Sequence, residues 1–114
     1  MRLYRPVGPK EYGIIEESGF TRFPHRLPEQ PIFYPAINIE YARQIASQWN
    51  VPQSGSGFVT TFEIDDVYIS QFDVQTVGSS IHQEYWISAE ELHKFNSHIV
   101  GKIEIVEKYI QESS

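Results

Sequence analysis

Apolar and polar positions alternate or recur along this chain in a way that lays out its elements before any chemistry is considered. Residues Arg2 to Arg5 alternate, and Pro6 is expected to end that first strand because proline cannot donate to a ladder. A helix is predicted from Pro9, with Tyr12, Ile14 and Ile15 giving an apolar side and Gly19 in place for a left-handed C-terminal residue. No period of 2 or 3.6 runs through Phe20 to Pro31, where Pro24, Pro28 and Pro31 interleave with Arg22, His25 and Arg26. This proline-stiffened stretch reads as a long loop, either a flap over a site or a spacer crossing one end of a sheet.

Ile32-Phe33-Tyr34 predicts a short strand closed by Pro35. The clearest helix follows, with Asn38 as N-cap and Ala42, Ile45, Ala46 and Trp49 on one face, and it is expected to pack on a sheet. Pro52 to Gly57 reads as a flexible connection, and Phe58 to Asp65 as a strand with Phe58, Thr60, Phe62 and Ile64 on one face. Asp65-Asp66 begins a turn through Ile69, Phe72 to Val77 predicts a strand, and Gly78-Ser79-Ser80 breaks it. The next strand, Ile81 to Ile87, ends at Ser88, which with Glu91 has the form of a capping box for a short helix through Leu92 and Phe95. Gly101 precedes a last strand from Lys102 to Tyr109.

About six short strands with two main helices, and without regular strand–helix alternation, predict an α+β fold. At 114 residues the chain is expected to form a single domain over 1–110, with 111–114 as a frayed tail. Seven Tyr and seven Phe supply rings both for a small core and for the lining of a cleft. The net charge of −6 opposes unspecific attraction to nucleic acid or to an anionic membrane. Six of the nine basic residues nevertheless fall within the first 43 positions, as solubilising charge or as one cationic cleft suited to a small phosphorylated ligand. The absence of cysteine removes disulfides, thiolate metal sites and a cysteine nucleophile. His25, His82, His93 and His98 show no metal-ligand spacing, so no metal is expected. With no signal-like segment and no long apolar run, the expectation is a soluble cytoplasmic protein.

The chemistry concentrates in Ile81-His82-Gln83-Glu84-Tyr85-Trp86-Ile87, where a carboxylate stands in a run that reads as a buried strand. Burying Glu84 is costly unless something pairs with it. Glycine-rich phosphate loops, dinucleotide fingerprints and serine-nucleophile elbows are all missing. What remains is an arginine ending the first strand (Leu3-Tyr4-Arg5), a tyrosine before the strong helix (Phe33-Tyr34-Pro35-Ala36) and Glu84 in a later strand.

In this order the chain resembles the ADP-ribosyltransferases of bacterial toxins and poly-ADP-ribose polymerases, and it is similar to short bacterial proteins labelled as ADP-ribosylation-related. Phe33-Tyr34-Pro35-Ala36, with Tyr41 and Ala42, is similar to the polymerase I-Y-F-A motif and its helix, and Gln83-Glu84-Tyr85-Trp86-Ile87 echoes N-E-Y-I-V. No Ser-Thr-Ser triplet occurs, although Thr60-Thr61 lies in the next strand, and Leu3-Tyr4-Arg5-Pro6 stands where that branch has a His-Gly pair. The resemblance implies a split-sheet fold and NAD as substrate, held by Arg5 on its phosphates or ribose, by Tyr34 on the nicotinamide ring, and with help from Tyr4. It implies Glu84 as the catalytic carboxylate on the nicotinamide ribose, and His82 and Gln83 facing an unknown acceptor of ADP-ribose. A non-catalytic protein-interaction module on the same fold is the alternative. A glycosidic hydrolase pairing Glu84 with Asp65 or Asp66 is a third reading.

Overall fold

The computed structural model describes residues 1–78 and 82–111. The expected break at Ser79-Ser80, the start of the glutamate strand at Ile81, and the tail from 112 to 114 lie outside them. In chain order the elements are strand β1 (Arg2–Val7), helix α1 (Pro9–Glu17), strand β2 (Ile32–Phe33) and helix α2 (Ile39–Ile45). A π-helical turn over Ala46–Asn50 leads into α3 (Val51–Ser54), then β3 (Ser56–Ile64), α4 (Asp66–Ile69) and β4 (Val74–Thr76). The chain closes with β5 (Gln83–Tyr85), β6 (Ile87–Ser88), α5 (Leu92–Ser97) and β7 (Ile99–Ile110). The fold is α+β, as the clustering of strands predicts.

Strand β3 is central, antiparallel to β1 on one side and to β7 on the other. Nearly every residue from Gly57 to Ile64 is buried, so both faces of β3 are covered and the expected one-sided alternation is lost. Beyond β1 the hydrogen-bonding continues through a short bridge. Tyr4 and Ala36 exchange backbone bonds of 2.8 and 2.7 Å, Ile37 donates to the Gln83 carbonyl at 3.0 Å, and Tyr85 donates to the Pro35 carbonyl at 3.0 Å. Residues 35–37 thereby link β1 to β5, and β5 carries β4 with Glu84 opposite Gln75. A separate ladder pairs β2 with β6, Phe33 opposite Ile87.

Several local expectations change. Pro6 does not stop β1, because the outward-facing edge at Tyr4 already bonds Ala36 and the alternation of the strand points the proline nitrogen to that same side, away from β3. Pro52 does not end the helical path either, since it lies in the first turn of α3, and the stop comes at Gly55 with φ of +83°. Trp49 leaves the apolar face, 61 % exposed, where the π turn offsets the 3.6-residue period. Ala42 and Ala46 stay on that face and pack against Val59. The small residues matter, because a Cβ on Gly57 would sit 2.5 Å from the Ala46 carbonyl oxygen, so helix and strand meet backbone to backbone.

Strand β4 is shorter than Phe72 to Val77, with Phe72 diverted into an edge contact with Tyr68 at 5.4 Å. The glutamate strand divides at Trp86, where the chain changes partner from residues 35–37 to β2. Ser88 Oγ accepts the Glu91 backbone N–H at 3.3 Å, but the Glu91 carboxylate accepts from the Tyr68 hydroxyl at 2.9 Å and completes no capping box. Strand β7 begins earlier than expected, and Gly101 with φ of +80° sits inside it where the register to β3 shifts. Gly19 is left-handed just after α1, as expected.

The main core gathers Leu3, Ile15, Phe23, Phe33, Phe62 and Phe95 among others, with ring centroids 5.1 to 5.8 Å apart across the four phenylalanines. Loop 20–31 is pinned to it at Phe23, whose backbone N–H and carbonyl both bond the Asn96 side chain, at 2.9 and 3.0 Å.

Candidate functional site

Strand alternation sends Tyr85 into the main core and Glu84 to the opposite side. There Glu84 meets α2. Asn38 caps that helix by accepting the Glu40 N–H at 2.7 Å, which fixes its start and brings Tyr41, on the first turn, over the strand. The Tyr41 hydroxyl donates to Glu84 Oε1 at 2.6 Å, and the Trp86 indole N–H donates to Oε2 at 2.8 Å. Glu84 is 5 % exposed, so these two short bonds replace the water it has lost. Burial, reinforced by the bond to Glu84, holds the Tyr41 phenol well above its ordinary pKa. His82 stacks on Tyr41 with ring centroids 4.6 Å apart, and its Nε2 lies 2.8 Å from Gln44 Oε1. With that amide oxygen accepting, Nε2 carries the proton.

Arg5 enters from β1. Its Nε and Nη2 donate to the two Glu11 oxygens at 2.8 and 2.9 Å, and its Cζ lies 4.5 Å from the Phe33 ring centre. This fork-to-fork pairing aims the guanidinium and leaves its Nη1 unbonded among the described residues. Tyr34 and Trp86 meet edge to face at 6.4 Å and are both partly exposed. Arg5, Tyr34, Tyr41, Glu84 and Trp86, with Ile45 and Val77, line one cleft of about 440 Å³ that is open to solvent. Its size and its mixture of aromatic walls with a few convergent polar groups are those of a small-molecule site.

Of the residues expected at a site, the structure therefore brings Arg5, Tyr34 and Glu84 to one cavity and sets His82 beside it through Tyr41. Tyr4 and Gln83 are not in the lining. Tyr4 packs with Ala42, Ala46 and Val59 beneath α2, and Gln83 is held in β5 between Thr76 and Ile37. The hydroxyls of Thr60 and Thr61 donate to the Arg5 and Leu3 carbonyls at 2.8 and 3.0 Å, which commits both to the sheet. Asp65 caps α4 through the Val67 N–H, Asp66 is exposed beside the N-terminal amine, and neither lines the Glu84 cavity, so the paired-carboxylate reading loses its second member. Among the described residues no group of three or more His, Asp or Glu could hold a metal ion.

Three members of the constellation were given no site role from the sequence, although Tyr41 and Trp86 stand in the motifs named there. Trp86 had a signal, since it lies two residues after Glu84 and so shares its side. Tyr41 had one too, three residues beyond the N-cap and beside the buried Ala42. Glu11, in the first turn of α1, had only its proximity in sequence to Arg5.

No protein-family model matches the chain, and neither does any curated protein or solved structure. Among the described residues no helix is long and apolar enough to cross a membrane.

Proposed function

We propose that the cavity binds the nicotinamide–ribose half of NAD and that the chain is an NAD-consuming protein of ADP-ribosyltransferase type. The observation that carries this reading is the meeting of Arg5, Tyr34 and Glu84, far apart in sequence, around one cavity whose buried carboxylate is held by two donors. Tyr34 offers a ring face to the flat cationic nicotinamide, an attraction of about 0.5 to 2 kcal/mol. Glu84 accepts from a ribose hydroxyl while Arg5 Nη1 donates to a phosphate. In the reaction the bond between ribose C1′ and the nicotinamide nitrogen breaks, and its electron pair leaves with nicotinamide. The acceptor's oxygen or nitrogen bonds to C1′ and its proton passes to solvent, so that neutral nicotinamide, the ADP-ribosylated acceptor and one proton are the products. Positive charge develops on the ribose meanwhile, and a preorganised carboxylate in a water-poor site stabilises it better than water does. His82, stacked on Tyr41 beside the cavity, is the residue this reading assigns to the acceptor.

The test is nicotinamide release from NAD by the wild-type protein and by Glu84→Gln. The expected loss is about 10²- to 10³-fold, the scale seen when one preorganised electrostatic group is removed. Equal rates contradict the catalytic role. The alternative, a non-catalytic interaction module, draws on one observation, that both Glu84 oxygens and the Arg5 fork are already bonded within the chain. It predicts a melting temperature indifferent to NAD.

A further inference from the structure

The charge of Glu84 has no counter-ion within the described chain. Its two oxygens accept from the Tyr41 phenol and the Trp86 indole, both uncharged donors, and among the described residues it enters no ion pair. Two neutral hydrogen bonds replace its hydration but leave its charge in place, 5 % exposed on the wall of the cleft. Arg5 lines the same cleft, yet both oxygens of Glu11 take its guanidinium at 2.8 and 2.9 Å, so that pair adds no net charge. The rings beside the carboxylate make a corner. Tyr34 and Trp86 stand at 89° to each other with centroids 6.4 Å apart, and both are partly exposed. Tyr41 supplies a third ring, backed by the stacked His82, and Ile45 and Val77 add apolar surface.

We propose that this cleft is an aromatic box for the quaternary ammonium group of a small ligand, a trimethylammonium head such as choline carries. Aromatic rings attract such a cation through the negative charge of their faces, and a desolvated carboxylate adds a full opposite charge. The lack of N–H groups on the cation matters as much. A primary ammonium brings three donors that need acceptors, whereas each Glu84 oxygen already holds one donor. A quaternary nitrogen brings none, and rings and charge meet it without disturbing either bond. The proposal rests on the same cleft as the NAD reading but on none of its reaction chemistry. The nicotinamide ring of NAD is itself a cation with no N–H on its ring nitrogen, so the two ligands compete for one place.

The experiment follows the Trp86 indole resonance at constant ionic strength during titration with choline, with its neutral carbon isostere neopentyl carbinol, and with ethanolamine. Choline is expected to shift the wild-type resonance saturably and to bind about tenfold or more tightly than either of the other two. Glu84→Gln keeps the shape of the cleft and removes its charge, so choline should fall toward the affinity of the isostere. Tyr34→Leu removes one exposed ring and should weaken choline about two- to thirtyfold, the span of a single cation–π contact. Melting temperatures without ligand show that the variants fold. Should Glu84→Gln fail to fold, the exposed Tyr34→Leu and the isostere still decide the matter. No saturable shift with choline, equal affinity for the isostere or for ethanolamine, or indifference of choline to a folded variant overturns the proposal. If choline binds with this preference while wild type releases no nicotinamide from NAD, the aromatic box stands and the NAD reading falls. NAD turnover without choline binding gives the reverse.

Discussion

The main core and the Glu84 cavity are both built from aromatic rings, yet they differ in which rings and what the rings carry. Phe23, Phe33, Phe62 and Phe95 interlock at 5.1 to 5.8 Å, offering hydrocarbon edges to one another's faces. The cavity instead takes Tyr34, Tyr41 and Trp86, and the polar tips of two of them converge on one carboxylate. Phe33 marks the border, buried against Phe95 on one side and under the Arg5 guanidinium on the other. Rings without a polar atom serve cohesion, while rings with one hold a charge in place. Stability and binding should accordingly come apart under mutation.

The largest effect on stability is expected from Phe62→Ala, which empties a fully buried site and should cost about 3–5 kcal/mol by chemical denaturation. A loss below about 1 kcal/mol would mean that the four-ring cluster is not the centre of cohesion. Tyr41→Phe keeps the ring but leaves Glu84 Oε1 without its donor, for an expected cost of about 1.5–3 kcal/mol. The same variant should weaken NAD binding, whereas the core variant, assayed below its melting temperature, should leave binding intact. Equal damage to binding from both would erase the distinction between the two regions.

Alkaline pH sharpens the contrast further, because phenols titrate and phenylalanines do not. Tyr41, Tyr68 and Tyr85 all have pKa values raised above the usual 10, in each case with burial as the largest cause. The folded state thus holds these protons more tightly than the unfolded chain. Their contribution is fully present below pH 10 and is lost as pH rises above it toward the folded values. Unfolding free energy should fall above pH 10, and Tyr41→Phe should fall less steeply. A flat profile to pH 12 would contradict the buried phenols. The smallest effect, about 1 kcal/mol, is expected from Asn38→Ala, which removes the cap that starts α2 beneath Tyr41.

What could be read from the sequence follows the range of the forces involved. Local periodicity found α1, the Ala42 and Ala46 face and the strand nature of Glu84, because those depend on neighbours within one or two turns. It misplaced Trp49, since the π turn over Ala46–Asn50 offsets the 3.6-residue period, and that turn meets Gly57 at close range across the fold. Pro6 was read as a stop, yet a missing N–H breaks a strand only if its direction is paired, and that direction is set by tertiary partners; Pro52 was read as opening a flexible connection, whereas it lies in the first turn of α3. Arg5, Tyr34 and Glu84 were named from their order along the chain. Their donors and counter-ion, Tyr41, Trp86 and Glu11, were given no role there; Tyr41 meets Glu84 across 43 residues, which no sequence period reports, while Trp86 and Glu11 lie only two and six residues from their partners and depend on which way each side chain turns. Arg26 was seen only as one cation in a loop, and the shielding of its Nε is a property of the folded chain alone.

The chain has two tryptophans, which allows one spectrum to test the central claim that NAD occupies the Glu84 cavity. The Trp86 indole N–H donates to Glu84 Oε2 on the cavity wall, while Trp49 is exposed on the π turn and does not line that cavity. An NMR titration with NAD should move the Trp86 indole resonance saturably and leave that of Trp49 in place. An unmoved Trp86 resonance at millimolar NAD would contradict the account.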